Sequence, residues 1–258
     1  MLILLSPAKQ LDFTPAAAPR VTQPELIGRT RVLARTTRAL SQSDLKSLMH
    51  LSDDLAHLNR ERFQAFDPDA PGGQPAAFAF AGEVYRGLDA RSLDAEDLDW
   101  AQDRLRILSG LYGLLRPLDA IHPYRLEMGT RLKTRSGASL YDFWGDDIAK
   151  SLKRDLKDAP APVVVNLASQ EYAKAARLKA LGARVISADF KEEQDGQLRA
   201  LMVFAKKARG MMARWIIENR IEDPDALTTF NVDGYRFQSH DPKADTLLFT
   251  RPQPPKKG

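Results

Sequence analysis

The sequence predicts an α/β protein, with a mixed β-sheet flanked by helices in one compact domain. Three observations point there. Uncharged aliphatic runs, "MLILLS" and "PVVVNLAS", read as buried strands. Capped or amphipathic stretches between them read as helices. Some strands follow one another with no helix between, so the sheet cannot be wholly parallel. At 258 residues, 43% hydrophobic and 28% charged, the chain is expected to fold as one domain over 1–258, with a frayed tail at 252–258.

The elements follow in order. "MLILLS" is a strand ended by Pro7, and "PAKQLDFTPAAAPR" an extended surface segment. "TQPELIGRTRVLARTTRAL" has helical spacing, with Pro24 suited to the first turn. Two more helices are expected in "SQSDLKSLMHLSDDLAHLNRERFQAF", capped at Ser43 and Ser52. "DPDAPGGQPA" is a loop, and "AFAFAGEVYRGL" a strand entering a turn. "LDAEDLDWAQDRLRILSG" passes from helix to a strand ending at Ser109, and "SLYDFWGDDIAKSLKRDLKDAPA" is one amphipathic helix. The strand "PVVVNLAS", the helix "SQEYAKAARLKALGA" and the strand "RVISADF" come next. "LRALMVFAKKARGMMARWIIENRI" moves from a strand-like start into a basic helix, and "DTLLFTRP" is the last strand.

Composition excludes several chemistries. With no cysteine there are no disulfides, thiolate zinc sites or thiol redox sensors, and a cytoplasmic address is expected. The N-terminal run is too short for a signal peptide and lacks a basic leader. No apolar run approaches a membrane span. Phosphate-loop, dinucleotide and nucleophile-elbow motifs are missing. The four histidines, His50, His57, His122 and His240, have no ligand-like company, so neither a metal nor a cofactor is expected. Asp142, Asp146 and Asp147 suit a helix N-terminus better than a magnesium site.

Net charge is +4, yet it is unevenly spread. Residues 104–135 carry seven Arg/Lys against two acids, and residues 196–220 carry six against one. Residues 86–103 hold two bases and six acids. If the basic stretches meet, they form a polyanion-binding face; if not, they are solvated helix surfaces. Lys206, Lys207 and Arg209 crowd one helical turn, where a bound anion would relieve their repulsion. Met211, Met212, Trp215 and Ile216 beside them suit a core face.

Two further groups stand out. "NLASQEY" places Asn166, Ser169, Glu171 and Tyr172 at the end of a central strand, the edge where open α/β sheets bind ligands, although Ser169 as a helix N-cap with Glu171 in the first turn explains the same residues without one. Lys9 follows the first strand and is either a surface lysine beside a proline turn or a group that meets a phosphate or acts as a nucleophile. "RLRILSGLYGLLRPL" sets Gly110 and Gly113 in a tight bend, followed by Arg116, Arg125 and Arg131. Such a bend serves either as a packed turn or as a glycine hairpin whose amides hold phosphates without reading bases.

"MLILLSPAKQLDF", "LSGLYGLLRPLDAIHPYRLEMGTRL", "LYDFWGDDI", "VVNLASQEY" and "FAKKARGMMARWI" together resemble the YaaA (UPF0246-type) family of bacterial peroxide stress response proteins. The resemblance spans most of the chain. It implies a cytoplasmic protein with a basic cleft and a helix-hairpin-helix-like element, placed here on Ser109 to Leu115. It also implies binding to duplex or branched DNA and protection of DNA from iron-dependent oxidative damage. Gly110, Tyr112, Gly113, Arg116, Arg125, Arg131, Lys206, Lys207 and Arg209 are then the expected DNA contacts. The alternative is an enzyme acting on DNA bases or nucleotides, a lesion-processing lyase or glycosylase, with Lys9, Asn166, Ser169, Glu171 and Tyr172 around its pocket.

Overall fold

A computed structural model describes residues 1–18 and 20–254; the end of the expected tail, 255–258, lies outside them. The chain starts with β1 (Leu2–Leu5), whose four aliphatic side chains are all buried, and β2 (Gln10–Leu11). Helices α1 (Ile27–Arg38), α2 (Gln42–Met49) and α3 (Asp53–Ala65) follow. Then come β3 (Gln74–Pro75), α4 (Ala76–Ala79), β4 (Phe80–Ala81), α5 (Glu83–Leu88) and α6 (Ala95–Arg104). The middle holds β5 (Leu105–Ser109), β6 (Gly113–Leu115), β7 (Ala120–Ile121), α7 (Leu140–Trp144) and α8 (Asp147–Asp155). The last part comprises β8 (Val163–Asn166), α9 (Gln170–Ala175), β9 (Arg184–Gln194), β10 (Gln197–Arg199), α10 (Met202–Glu218), β11 (Arg236–Asp241) and β12 (Thr246–Pro252).

The main sheet runs β11-β12-β9-β8-β1-β5-β6, with β10 added to β9. Its five central strands are parallel, while β6, β10 and β11 pair antiparallel. β1 is flanked by β5 on one side and β8 on the other, so the connections diverge around it. In open α/β sheets ligands bind at the carboxyl ends of the strands beside such a divergence, here the ends of β1, β5 and β8. The expected mixed α/β sheet is therefore the observed one.

Local expectations differ in four places. Ser41, not Ser43, caps α2: its hydroxyl accepts from the Asp44 amide, and the Asp44 carboxylate accepts from the Ser41 amide. Pro24 precedes α1 rather than opening it. "AFAFAGEVYRGL" holds two short helices around a two-residue strand, because Ala76–Phe80 packs inward on every side. The amphipathic helix after Ser139 is broken at Gly145, whose φ of 48° is a left-handed conformation that closes α7.

The largest correction concerns Ser109 to Leu115. This segment is a strand, a tight turn and an antiparallel strand, with Ser109 opposite Gly113, and every residue in it is buried. No helix-hairpin-helix is present there. The turn closes inward because Trp144 lies beneath it: the indole N–H donates to the Gly110 carbonyl at 3.0 Å. Gly113 has φ 74°, and a β-carbon there would come within 2.7 Å of the Trp144 ring. The glycines serve close packing, not exposure of amides.

Candidate functional site

The carboxyl edge of the parallel strands is built from the loops after β1, β5 and β8. After β1, the Ser6 hydroxyl accepts from the Ser169 amide at 2.9 Å and donates to the Ser169 hydroxyl at 3.3 Å. The Ser6 carbonyl accepts from the buried Tyr85 hydroxyl of α5 at 2.9 Å. After β5, the Ser109 hydroxyl pairs with the Tyr124 hydroxyl at 2.7 Å. After β8, Asn166 turns back to accept from the Ala168 amide at 3.2 Å, holding the bend into α9.

Residues 124–129 cross this edge. Gly110 permits the crossing, since a β-carbon there would sit 2.9 Å from the Leu126 carbonyl carbon and closer still to its oxygen. The crossing carries Glu127 to Lys9, with Nζ and Oε2 2.6 Å apart, and Arg125 reaches the other Glu127 oxygen at 3.3 Å. Two residues on, the Gly129 amide donates to Glu171 at 2.7 Å, tying the segment to α9. Tyr172 is buried below; desolvation raises its pKa above the ordinary tyrosine value, with nearby Tyr124, Glu171 and Glu127 adding to the rise.

Three of the five expected pocket residues, Lys9, Glu171 and Tyr172, are thus connected through Glu127 and Gly129. Asn166 and Ser169 shape the adjoining bends. Glu127, Ser6, Tyr85 and Tyr124 belong to the same edge and were not singled out from sequence. Ser6 could have been, as the last residue before the proline that ends a central strand.

The expected DNA contacts divide. Gly110, Tyr112 and Gly113 are buried, and the Tyr112 hydroxyl accepts from the His122 amide at 3.0 Å. Arg116 lies beyond β6, whose end pairs with Ile107, so it sits away from the carboxyl edge of β5. Its guanidinium binds the buried Asp119 at 2.9 Å and the Gln23 carbonyl at 3.0 Å. These four residues are committed to packing and internal pairing. Arg125 is mostly buried against Glu127. Arg131 and Lys206 are exposed, and Lys207 is half-buried with Asp233 at 3.7 Å. Arg209 is half-buried near Asp189, two residues beyond the strand position paired with Asn166. Desolvation lowers its pKa from the ordinary arginine value.

Tertiary pairing also redistributes the uneven charge. Asp89 and Asp97 of the acidic interval bind Arg214 and Arg220 of the second basic stretch. In the first stretch Arg104 binds Glu222, and buried Arg106 binds Asp155 at 2.7 Å. Of the cations in these two basic stretches, all among the described residues, Arg131, Lys133, Arg135, Arg199, Lys206 and Arg209 are left without an ion pair. Also among the described residues, no three His, Asp or Glu side chains gather as metal ligands. No described helix is long and apolar enough to cross a membrane.

Fold and edge together define a class: a single-domain α/β protein whose central parallel strands diverge around β1, with polar side chains and the Lys9–Glu127 pair at their carboxyl edge. The family described as "Peroxide stress protein YaaA" matches residues 1–241. Among relatives, the UPF0246 protein Mmar10_0828 of Maricaulis maris (strain MCS10) is 64% identical over 259 residues, covering 100% of this chain and 98% of its own. A UPF0246 protein of Caulobacter vibrioides (strain NA1000 / CB15N) is 57% identical over 255 residues, covering 98% and 100%. UPF0246 protein RD1_0358 of Roseobacter denitrificans is 53% identical over 258 residues, covering 98% and 99%. The chain belongs to the YaaA (UPF0246) family, and membership supports a role in peroxide stress.

Proposed function

We propose that this protein binds duplex or branched DNA through its phosphate backbone in the cytoplasm, and so limits oxidative, iron-dependent damage to it. The observation that carries the reading is the set of cations that internal pairing leaves over in the two basic stretches. Arg131, Lys133 and Arg135 form one exposed cluster, and Lys206 with Arg209 a second on α10. Cations without acidic partners supply sequence-independent affinity by releasing counterions from phosphates. Lys207 and Arg125, each held by a carboxylate, add to the positive field without being free to reach out.

The test is fluorescence polarisation of a labelled duplex, and of a four-way junction, across salt. With five phosphates neutralised, one for each of these cations, the log–log slope is about −4.5, a loss of roughly 500-fold in affinity between about 50 and 200 mM salt. Replacing Arg131 and Lys206 together by glutamine should flatten the slope by nearly two. Affinity that ignores salt would sink the proposal.

A second reading, an enzyme acting on DNA bases or nucleotides, is favoured by the polar groups gathered at the strand edge. Its lyase form needs an unencumbered amine at Lys9, whereas that side chain is 62% exposed and paired with Glu127. Borohydride trapping on abasic-site DNA separates the two readings: a covalent adduct lost in Lys9→Ala supports the lyase, and no adduct removes it.

A further inference from the structure

Among the described residues the two most exposed large hydrophobic side chains are neighbours, Met202 at 63% and Val203 at 57%. Both stand in the first turn of α10, which holds no acid. The sheet carries this turn past the carboxyl edge. β9 pairs with the last residue of β8 at Ser187 and runs on to Gln194, where β10 turns back along it and leads into α10. The start of the helix is anchored there. The Leu201 amide donates to the buried Glu192 carboxylate at 3.3 Å, and the Phe204 ring lies 4.9 Å from the guanidinium of buried Arg251. Met202 and Val203 are therefore presented on a fixed helical turn.

Lys206 follows Met202 by four residues and Val203 by three, so the three side chains share one face of the helix. One turn further on, the same face is closed. There α5 crosses over Gly210, and a β-carbon at that position would collide with the Val84 carbonyl. The open face of α10 is thus Met202, Val203 and the exposed Lys206. Acids mark its border. Leu198 stands opposite exposed Glu193 in the β9–β10 ladder, and Asp195 occupies the turn beyond, so the hairpin tip repels a polyanion and stays outside this face.

The inference rests on the reading that Lys206 meets a DNA phosphate. A helix face that approaches DNA through Lys206 brings Met202 and Val203 with it. Apolar side chains gain little against phosphate oxygens, whereas the face of a base removes them from water. Base faces are open where stacking is interrupted, and methionine is among the side chains that enter such steps. We propose that Met202 and Val203 form an apolar wedge that seats against bases at an interruption of the stack, with Lys206 on the flanking phosphate. The partner is duplex DNA whose base stack is broken.

Fluorescence polarisation with two labelled duplexes of equal length, one fully paired and one with a central tandem mismatch, tests this at constant phosphate count. The parent protein should bind the mismatched duplex roughly tenfold more tightly, the scale of one stacking contact with a base. Replacing Met202 and Val203 together by serine should bring the two affinities within about twofold of each other and leave the salt slope as it was, since no charge is lost. Lys206→Gln should weaken binding of both duplexes and flatten the slope by about one, with the ratio kept. The double serine variant should melt with the parent, because both side chains are exposed; a lower melting temperature would mean that they are packed, and overturns the proposal. Equal affinity of the parent for the two duplexes also overturns it, as does a ratio that survives both serines. So does sedimentation velocity in which the parent self-associates and the serine variant does not, which would make the face an interface between copies. If neither duplex binds, backbone binding fails together with the wedge; equal binding with a steep salt slope removes the wedge alone.

Discussion

Gly110→Ala separates a packed turn from an exposed phosphate-binding hairpin. The added methyl group would fall on the Leu126 carbonyl, with the carbonyl carbon 2.9 Å and the Glu127 backbone carbon 3.2 Å away. Neither contact is a flexible side-chain tip, so the crossing segment itself must move. Overpacking against backbone costs about 3 kcal/mol, at the upper end of the usual range for added methylenes. In a protein of this size that lowers the melting temperature by roughly 6–12 °C. Displacing residues 126–127 would also loosen Glu127 from Lys9, now 2.6 Å apart. Gly28→Ala is the control: it lies in α1 with nothing within 4 Å of the new methyl group, and should stabilise by up to about 1 kcal/mol. Urea unfolding and thermal melting of the three proteins give the comparison. If Gly110→Ala melted like the parent while DNA affinity fell, the turn would be an exposed hairpin after all and the packing argument would be refuted.

Three further outcomes are expected. All six tyrosines have raised pKa values, with burial the leading cause, so phenolate absorbance should stay low through pH about 10 and rise with unfolding. The sign follows from linkage: buried phenols contribute stability below the unfolded value, which is lost as pH rises and the unfolded chain ionises first. Reversible ionisation of most tyrosines near pH 10 in folded protein would contradict this. Asp245, whose pKa is lowered chiefly by its hydrogen bond from Arg184, contributes stability above its unfolded value and loses it as pH falls through the folded one. Asp245→Asn should therefore lower the urea midpoint at neutral pH and narrow its gap to the parent protein below about pH 4; an equal deficit at both values would rule the pair out. Glu127→Gln removes the one carboxylate shared by Lys9 and Arg125. Duplex affinity at low salt should rise a few-fold in polarisation assays, and a fall would mean that Glu127 itself faces the DNA.

Much of the secondary structure was legible because it rests on local chemistry. β1, β5, β8 and β12 are short strands built on aliphatic residues, and α10 is a largely apolar helix carrying a cluster of cations. The larger errors fell where the decisive partner is remote in sequence. Nothing local to "AFAF" says that those residues are enclosed on every side, and nothing in "SGLYG" says that Trp144, more than thirty residues on, lies beneath the turn. The candidate site was half legible for the same reason. Lys9, Glu171 and Tyr172 were visible from their strand ends, but Glu127 acquires meaning only by crossing the sheet edge to meet Lys9.

Charge shows the division most clearly. The sequence by itself determined the family, the α/β class and two basic stretches separated by an acidic one, because these depend on order and composition. Which cations remain free was decided by tertiary structure. Asp89 and Asp97 bind Arg214 and Arg220, more than a hundred residues away, and Arg116 turns to buried Asp119. Ion pairs act over a few ångströms in space, whatever the distance along the chain. Only the fold could show that Arg131 and Lys206 keep no ion-pair partner within the protein.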